Sequence, residues 1–327
     1  MNHRVAIIGT GAFARTHADA LSRHGKLELA GFAGASADKS QPLAAEYGAW
    51  PYRDLAEVLV DDSVAGVIVA TPHDTHVSIG EAVLATGKCV LIEKPLAITV
   101  GECDLLVEAE GKSTGRAMVG HLMGLAPAHV QARKLIEAGT VGDIVTVDSR
   151  RMLFWNSEAR RPWQKSSRDG GGMWLIQGVH VVDQVSYLLN SRAETAYGAS
   201  ETRFHPEQSA DDFGLAQLRM GGIHVSVKIA GTSRREEEVF TQIYGTKGNL
   251  RVSHRGELRL DTGNGWEDRL EPDVDQWKAT LDAEMDSFAD LMDGRPVPAD
   301  LGYGRYIVAV VEAIRRSTRT RREEPVL

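Results

Sequence analysis

Short apolar runs recur through the first third of the chain, each followed by a stretch with helical spacing. Residues 4–8, 27–33, 65–70, 89–92 and 117–119 are near-continuous in apolar side chains, the pattern of strands buried on both faces. Between them, 14–21, 41–47, 55–60, 77–85 and 99–110 carry apolar residues at the spacing of one helix face. Such alternation predicts a doubly wound parallel sheet. After residue 121 the pattern changes. A helix begins near Pro127, a strand runs over 144–155 and a helix over 173–189. Segments 194–204, 213–220, 224–230, 238–244, 249–252 and 257–260 then alternate apolar and polar positions, as antiparallel strands do. Met220-Gly221-Gly222-Ile223 reads as a tight hairpin turn. Helices over 277–292 and 304–317 close the chain. The expected organisation is a first α/β domain, 1–121, and a second α+β domain, 122–327, with a large open antiparallel sheet.

Composition narrows the class. The chain has 327 residues, 43% hydrophobic and 25% charged, ordinary values for a globular protein with room for a substantial core. A net charge of -8 argues against nucleic acid as the main partner, because counterion release needs a basic surface. No apolar run is long enough to span a bilayer, and no signal peptide precedes the first strand. Cys89 and Cys103 form neither a disulfide framework nor a metal pattern. The expectation is a cytoplasmic, disulfide-free protein with no metal site and a small-molecule substrate.

The candidate chemistry lies where the predicted strands end. The first leads into Gly9-Thr10-Gly11-Ala12-Phe13-Ala14, a G-x-G-x-x-A turn at the start of a helix. Gly9 permits the tight turn, Gly11 lets main chain approach a pyrophosphate, and Ala14 lets helix and strand pack closely. The helix N-terminus offers its N–H groups and positive dipole end to the phosphates. A ribose-reading carboxylate is expected about 20 residues beyond the fingerprint. Gly34 stands there instead, and Asp38 reads as a helix-start residue. Ser36 and Lys39 could accept a 2′-phosphate, or the segment is a plain loop; NAD and NADP both stay open. The fourth strand runs into Glu93-Lys94-Pro95, and Pro95 cannot continue a ladder. In an open parallel sheet Lys94 would therefore project into the ligand crevice, where desolvation suits it to share a proton with a substrate hydroxyl.

Taken together, G-x-G-x-x-A at the start, T-P-H-x-x-H at 71–76, E-K-P at 93–95 and G-G-G…Q-G-V-H-x-x-D at 170–183 resemble the Gfo/Idh/MocA family of oxidoreductases. Gly245-Thr246-Lys247-Gly248 resembles that family's turn in its second domain. The resemblance implies a Rossmann domain whose cofactor is lined by Gly9, Thr10, Gly11, Ala12, Phe13, Ser36, Thr71, Pro72, His73, His76, Glu93 and Lys94. It implies His180 as the catalytic histidine, exchanging a proton with the substrate hydroxyl while Lys94 stabilises the developing alkoxide. Asp183, three residues on, either orients His180 or pairs with neighbouring N–H groups. The second domain would also carry the contacts of a homodimer or homotetramer.

The chain departs from the family's pattern at Ile176, where an Asp or Asn is common, and at Leu122 and Gly124, where an Asn and an Arg often stand. These differences bear on sugar binding more than on the cofactor. Residues 150–169 add a local excess of cations: Arg150, Arg151, Arg160, Arg161, Lys165 and Arg168, with Trp155 and Trp163 interleaved. This is either a solvated face or a substrate loop, in which Arg161 and Arg168 would hold an anion and Trp155 and Trp163 cover a ring. The implied function is hydride transfer between nicotinamide and a secondary alcohol or ketone of a cyclic polyol or sugar derivative. Two alternatives stand beside it: a dehydrogenase of a carboxylated, dihydrodiol-type ring, and a non-catalytic dinucleotide sensor.

Overall fold

The computed structural model describes residues 2–235 and 237–327. Contacts gather the chain into two units: everything up to His121 with Leu281–Arg305, and Leu122–Thr280 with Tyr306–Leu327.

The first unit is built from β1 (His3–Ile8), α1 (Ala12–Arg23), β2 (Leu27–Ala33), α2 (Ala37–Tyr47), β3 (Trp50–Tyr52), α3 (Leu55–Val60), β4 (Val64–Val69), α4 (His76–Ala85), β5 (Cys89–Ile92), α5 (Val100–Gly111) and β6 (Ala117–Val119). Its described strands form one parallel six-stranded sheet in the order β3-β2-β1-β4-β5-β6. The order reverses direction between β1 and β4, where a doubly wound fold opens its crevice. Val5, Ile7, Val67, Ile68, Val90 and Leu91 are fully buried, which is why these strands lack alternation. Local signals start the helices. The Asp54 side chain accepts from Glu57 N–H at 3.0 Å before α3, and Thr99 and Glu102 form a capping box at α5.

The expected second domain contained 281–305, yet this segment packs in the first unit. Val119 N–H donates to Ala299 O at 2.9 Å and the Arg116 guanidinium donates to Arg295 O at 2.8 Å. Gly304 lies so close that a Cβ there would sit 2.7 Å from Val119 Cγ2. Pairing over nearly two hundred residues of chain leaves no local trace in composition or period.

The second unit holds α6 (Pro127–Glu137), β7 (Ile144–Phe154), α7 (Val179–Leu189), β8 (Ala193–Glu201), β9 (Phe213–Met220), β10 (Ile223–Thr232), β11 (Glu238–Gly245), β12 (Asn249–Ser253), β13 (Leu258–Asp261) and β14 (Glu267–Leu270). Helices α8 (Val274–Met292) and α9 (Leu301–Thr320) carry the chain from one unit to the other, and β15 (Glu324–Pro325) ends it. Among described residues the sheet has nine strands, in the order β14-β13-β12-β11-β7-β10-β9-β8-β15. It is mixed rather than purely antiparallel, because β10 pairs with β7 in parallel. The long connection through α7, β8 and β9 returns the chain in the same direction, which a hairpin cannot do. At the β9–β10 turn Gly221 and Gly222 both have positive φ, 57° and 84°, as a two-residue hairpin requires. Inner positions such as Val147, Leu218, Val227 and Ile243 are buried. A buried Ser149–Thr241 hydroxyl pair at 2.6 Å satisfies the polar groups on that face.

No helix among the described residues is long and apolar enough to cross a membrane.

Candidate active site

In the first unit the predicted residues gather at the carboxyl ends of neighbouring strands. Gly9 follows β1 with φ 129°, and its N–H donates to Ala33 O at 2.8 Å. A Cβ on Gly9 would stand 2.3 Å from Ala70 O, so only glycine fits between β1 and β4. Gly11 is the N-cap of α1 and no side chain caps that end. The first-turn N–H groups are therefore available to an anion, and this turn fits a dinucleotide pyrophosphate. Ala14 is fully buried behind it, and Phe13 is partly exposed. Beyond β2, a Cβ on Gly34 would lie 3.1 Å from Thr10 Cγ2, which ties the two turns together. Ser36 is the extended N-cap of α2, Asp38 lies in the helix's first turn, and the Ser36 and Lys39 side chains are exposed.

After β4, Thr71 and Pro72 lead into a single 3-10 turn, with the Thr75 hydroxyl donating to Pro72 O and paired with the Thr71 hydroxyl, both at 2.7 Å. His73 is buried, its ring 5.7 Å from that of His76. His76 itself is completely buried, with Nδ1 2.9 Å from Pro95 O and Nε2 3.1 Å from Thr71 O. Burial holds its imidazole below the ordinary value, with the Lys94 charge adding to the effect. His76 thus sits between the Thr71 and Pro95 loops, with a ring nitrogen against a carbonyl of each.

Lys94 is half-buried at the end of β5, and the residue before it is held from two sides. His17 Nε2 lies 2.7 Å from Glu93 Oε1, while Lys94 N–H donates to Glu93 Oε2 at 3.2 Å. His17 comes from α1, one turn beyond Phe13, and is fully buried. Its Nδ1 faces Glu284 Oε2 at 3.6 Å, and Glu284, on the part of α8 within this unit, is fully buried too. Burial works against a charge on His17, but its bond to Glu93 and the charges of Glu284 and Glu93 hold it above the ordinary value. Burial also opposes the charge on Glu93, and there the His17 hydrogen bond with the charges of His17, Lys94 and His76 holds the carboxyl below its ordinary range. Glu284 is pushed up to about 8, mainly by burial. After β6, buried His121 meets the Tyr303 ring edge-on, and burial plus the nearby Lys94 charge push it down to about 3.

His17, His121 and Glu284 were absent from the expected site. A signal for two of them existed. His17 interrupts the apolar stripe Ala14–Ala18–Leu21, and Glu284 interrupts Leu281–Met285–Phe288. A charged residue inside such a stripe must be paired or neutral when the stripe is buried.

In the second unit His180 and Asp183 lie on α7 and are both buried. Met123 N–H donates to Asp183 Oδ2 at 3.1 Å, so the carboxylate takes at least one main-chain partner. A π-helical turn, Trp174–Gly178, precedes the helix, where continuous α-helix was expected. A Cβ on Gly178 would lie 2.5 Å from Trp174 Cε3, so the large indole stacks on bare main chain there. Such turns are frequent at functional sites. Ile176 and Leu122 are buried, and a Cβ on Gly124 would stand 2.8 Å from the Tyr187 ring, which leaves no room for a larger side chain.

The cations of 150–169 do not form one cluster. Neighbouring residues of β7 face opposite sides. Arg150 pairs with Asp148 at 3.0 Å and Glu238 at 3.3 Å, whereas Arg151 Nε donates to Gln177 Oε1 at 2.6 Å. Trp155 is 2% exposed under the Arg160 guanidinium, so its ring packs in the core of this unit. Trp163 is half-buried, and Arg161 and Arg168 are exposed. The glycines that follow serve this loop itself: Gly171 N–H donates to Ser166 O at 2.8 Å, and a Cβ on Gly172, φ 99°, would stand 2.8 Å from Asp211 Oδ2. A cavity of about 290 Å³ in this unit is lined by Met123, His129, His254, Gln276 and Trp277 among others, and by none of the expected site residues.

Comparison with known proteins adds independent findings. Residues 3–121 match the model of an oxidoreductase family with an NAD-binding Rossmann fold, GFO/IDH/MocA, and residues 129–251 match the GFO/IDH/MocA C-terminal domain. An uncharacterised oxidoreductase of Streptococcus pneumoniae is 26% identical over 86% of this chain and 79% of its own. Inositol 2-dehydrogenase 1 of Saccharopolyspora erythraea is 26% identical over 77% of this chain and 74% of its own. Among solved structures, levoglucosan dehydrogenase in complex with NADH superposes with TM-score 0.90 over 100% of both chains, at 21% identity, a likeness of fold.

Proposed function

Because the chain belongs to the Gfo/Idh/MocA family of oxidoreductases with an NAD-binding Rossmann fold, we propose that it interconverts a secondary alcohol and a ketone on a cyclic polyol or sugar derivative. The observation that carries this reading is Lys94 at the carboxyl end of β5, its main chain held by Glu93, at the same sheet edge as the Gly9–Phe13 turn that follows β1, two strands away, and that fits a pyrophosphate. Bound there, the nicotinamide would take or give the hydride. Gly9, Thr10, Gly11, Ala12 and Phe13 hold the pyrophosphate, and Ser36, Thr71, Pro72 and His73 border the cofactor. In the oxidative direction Lys94 stabilises the alkoxide that develops as the hydroxyl proton passes to His180; reduction runs the same steps backwards. The inositol dehydrogenase among the relatives supports a polyol or sugar as the substrate.

A panel of cyclic polyols, sugars and sugar acids, read by nicotinamide absorbance with both cofactors, tests the reading. Turnover of a ring alcohol is expected, with Lys94→Ala lowering kcat by about 10²-fold and cofactor affinity little changed. A Lys94→Ala protein with wild-type kcat removes Lys94 from the mechanism, and an unturned panel removes the substrate class.

One observation favours a carboxylated ring instead. Arg161 and Arg168 are exposed and make no ion pair among the described residues, so both are available to an anion. We also infer a homo-oligomer assembled through the outer face of the nine-stranded sheet, where Tyr197 is 51% and Leu215 41% exposed.

A further inference from the structure

The reaction described above does not use Glu284, a fully buried titratable group behind the β5 edge. Glu284 is 0% exposed, and neither of its carboxylate oxygens has a hydrogen-bond partner among the described residues. An acid side chain left so in a protein interior costs stability, and a leucine or methionine would fill the same place in the α8 stripe without that cost. What the carboxyl faces is His17, at 3.6 Å, and His17 has the same 0% exposure. The far nitrogen of that ring lies 2.7 Å from Glu93, whose second oxygen accepts the main-chain N–H of Lys94. Gly120 packs against both acids: a Cβ there would lie 3.3 Å from Glu284 Oε1 and 3.5 Å from Glu93 Cδ.

We propose that Glu284 is a positioning residue for Lys94, acting through His17 and Glu93 as a buried chain of three side chains behind the β5 edge. It rests on the assignment of Lys94 to the reaction. His17 needs a counter-charge to remain an imidazolium in the interior; Glu93 provides it at 2.7 Å, and Glu284 adds a second from the opposite side only when it ionises. With His17 charged, Glu93 is fixed as a carboxylate in the one orientation that also receives the Lys94 N–H. The other titratable groups near the chain are Lys94 itself, His76 from α4 and His121 beyond β6. Burial pushes both histidines below their ordinary value, whereas Glu284 is raised to about 8, so its proton is the one whose loss adds negative charge behind Lys94. When Glu284 ionises, the chain gains a negative charge, which favours the ammonium form of Lys94, the form that stabilises the developing alkoxide. His17 also sits one turn from the cofactor turn on α1, its ring 6.1 Å from that of Phe13, so the same helix serves both ends of the site.

The test compares the full-length wild type with Glu284→Gln, His17→Asn and Lys94→Ala. The first readout needs no turnover: urea unfolding across a pH series. Glu284 is protonated in the folded chain up to about 8 and ionises far lower when unfolded. The folded state therefore holds the extra proton, and this contribution to stability is lost as pH rises toward about 8. The wild type should lose stability over that window, and Glu284→Gln, which cannot ionise, should lose distinctly less. His76, His121 and His129 are common to both proteins and cancel in the difference, whereas His17, which the Glu284 charge raises, is separated by running His17→Asn in the same pH series. The second readout is the pH profile of kcat. In Glu284→Gln the alkaline limb should move by about half a pH unit or more, and His17→Asn should lower kcat by roughly tenfold at little-changed KM. Equal pH slopes of unfolding in wild type and Glu284→Gln overturn the proposal, as do unmoved kcat profiles in both variants. If Lys94→Ala alone leaves kcat intact, the assignment of Lys94 has failed instead, and the unfolding comparison still decides whether Glu284 holds the proton.

Discussion

Gly34 stands at the end of β2, where an acidic side chain would accept the ribose hydroxyls and repel a 2′-phosphate. With glycine there and the side chains of Ser36 and Lys39 exposed beside it, NADP is expected to bind at least as well as NAD. Gly34→Asp should then weaken NADP selectively, through like-charge repulsion with the phosphate. A Cβ at this position meets Thr10 Cγ2 at 3.1 Å, so Gly34→Ala is the control that separates crowding from charge. Calorimetry decides it: a strong preference of the unmutated protein for NAD would mean that another group reads the ribose. At this scale motif residues were legible because their chemistry is local. Gly9 is needed by its own φ and by Ala70 O alongside, and G-x-G-x-x-A announces both. His17 and Glu284 lie more than 260 residues apart on different helices, and the sequence could reveal only that each sits oddly in an apolar stripe.

The segment between β7 and α7 shows how an element divides a run of charge. As a string, 150–169 is a cationic patch; as a strand and two 3-10 turns, it sends Arg150 and Arg151 to opposite faces and lays Arg160 over Trp155. Arg161 and Arg168 remain exposed, and they carry the test for an anionic substrate. Alanine at either should raise KM for a carboxylated substrate by about tenfold, the scale of one lost charge-assisted hydrogen bond, and leave cofactor affinity alone. Steady-state kinetics with the acid and its neutral analogue measures this. An unchanged KM for the acid would make the segment a solvated face and leave a neutral polyol. Strand alternation was readable along β7, but which face held a partner such as Gln177 was not, because that partner lies on another element.

The outer face of the nine-stranded sheet is a mosaic of aromatic and charged side chains, with the Arg251 guanidinium 3.7 Å from the Phe240 ring centroid and Tyr197, Leu215 and Tyr244 exposed. A broad open face of this kind suits a subunit interface more than water. Tyr197→Glu combined with Leu215→Glu should lower the assembled mass in analytical ultracentrifugation while the circular dichroism of the fold is kept. Unaltered mass would place the contact elsewhere or make the protein a monomer.

The sequence by itself determined the elements and the chemistry that acts within a few residues. Buried parallel strands are continuous runs, hairpin strands alternate, glycines mark the turns that need positive φ, and E-K-P ends a strand. All of these depend on interactions between near neighbours in the chain. Tertiary structure decided the rest: the parallel pairing of β10 with β7, the packing of Leu281–Arg305 in the first unit, the core position of Trp155, and the meeting of His17, Glu93 and Glu284. Each depends on a partner brought near by the fold, and the free energy of such a contact belongs to the pair, so neither residue's neighbours in the chain record it.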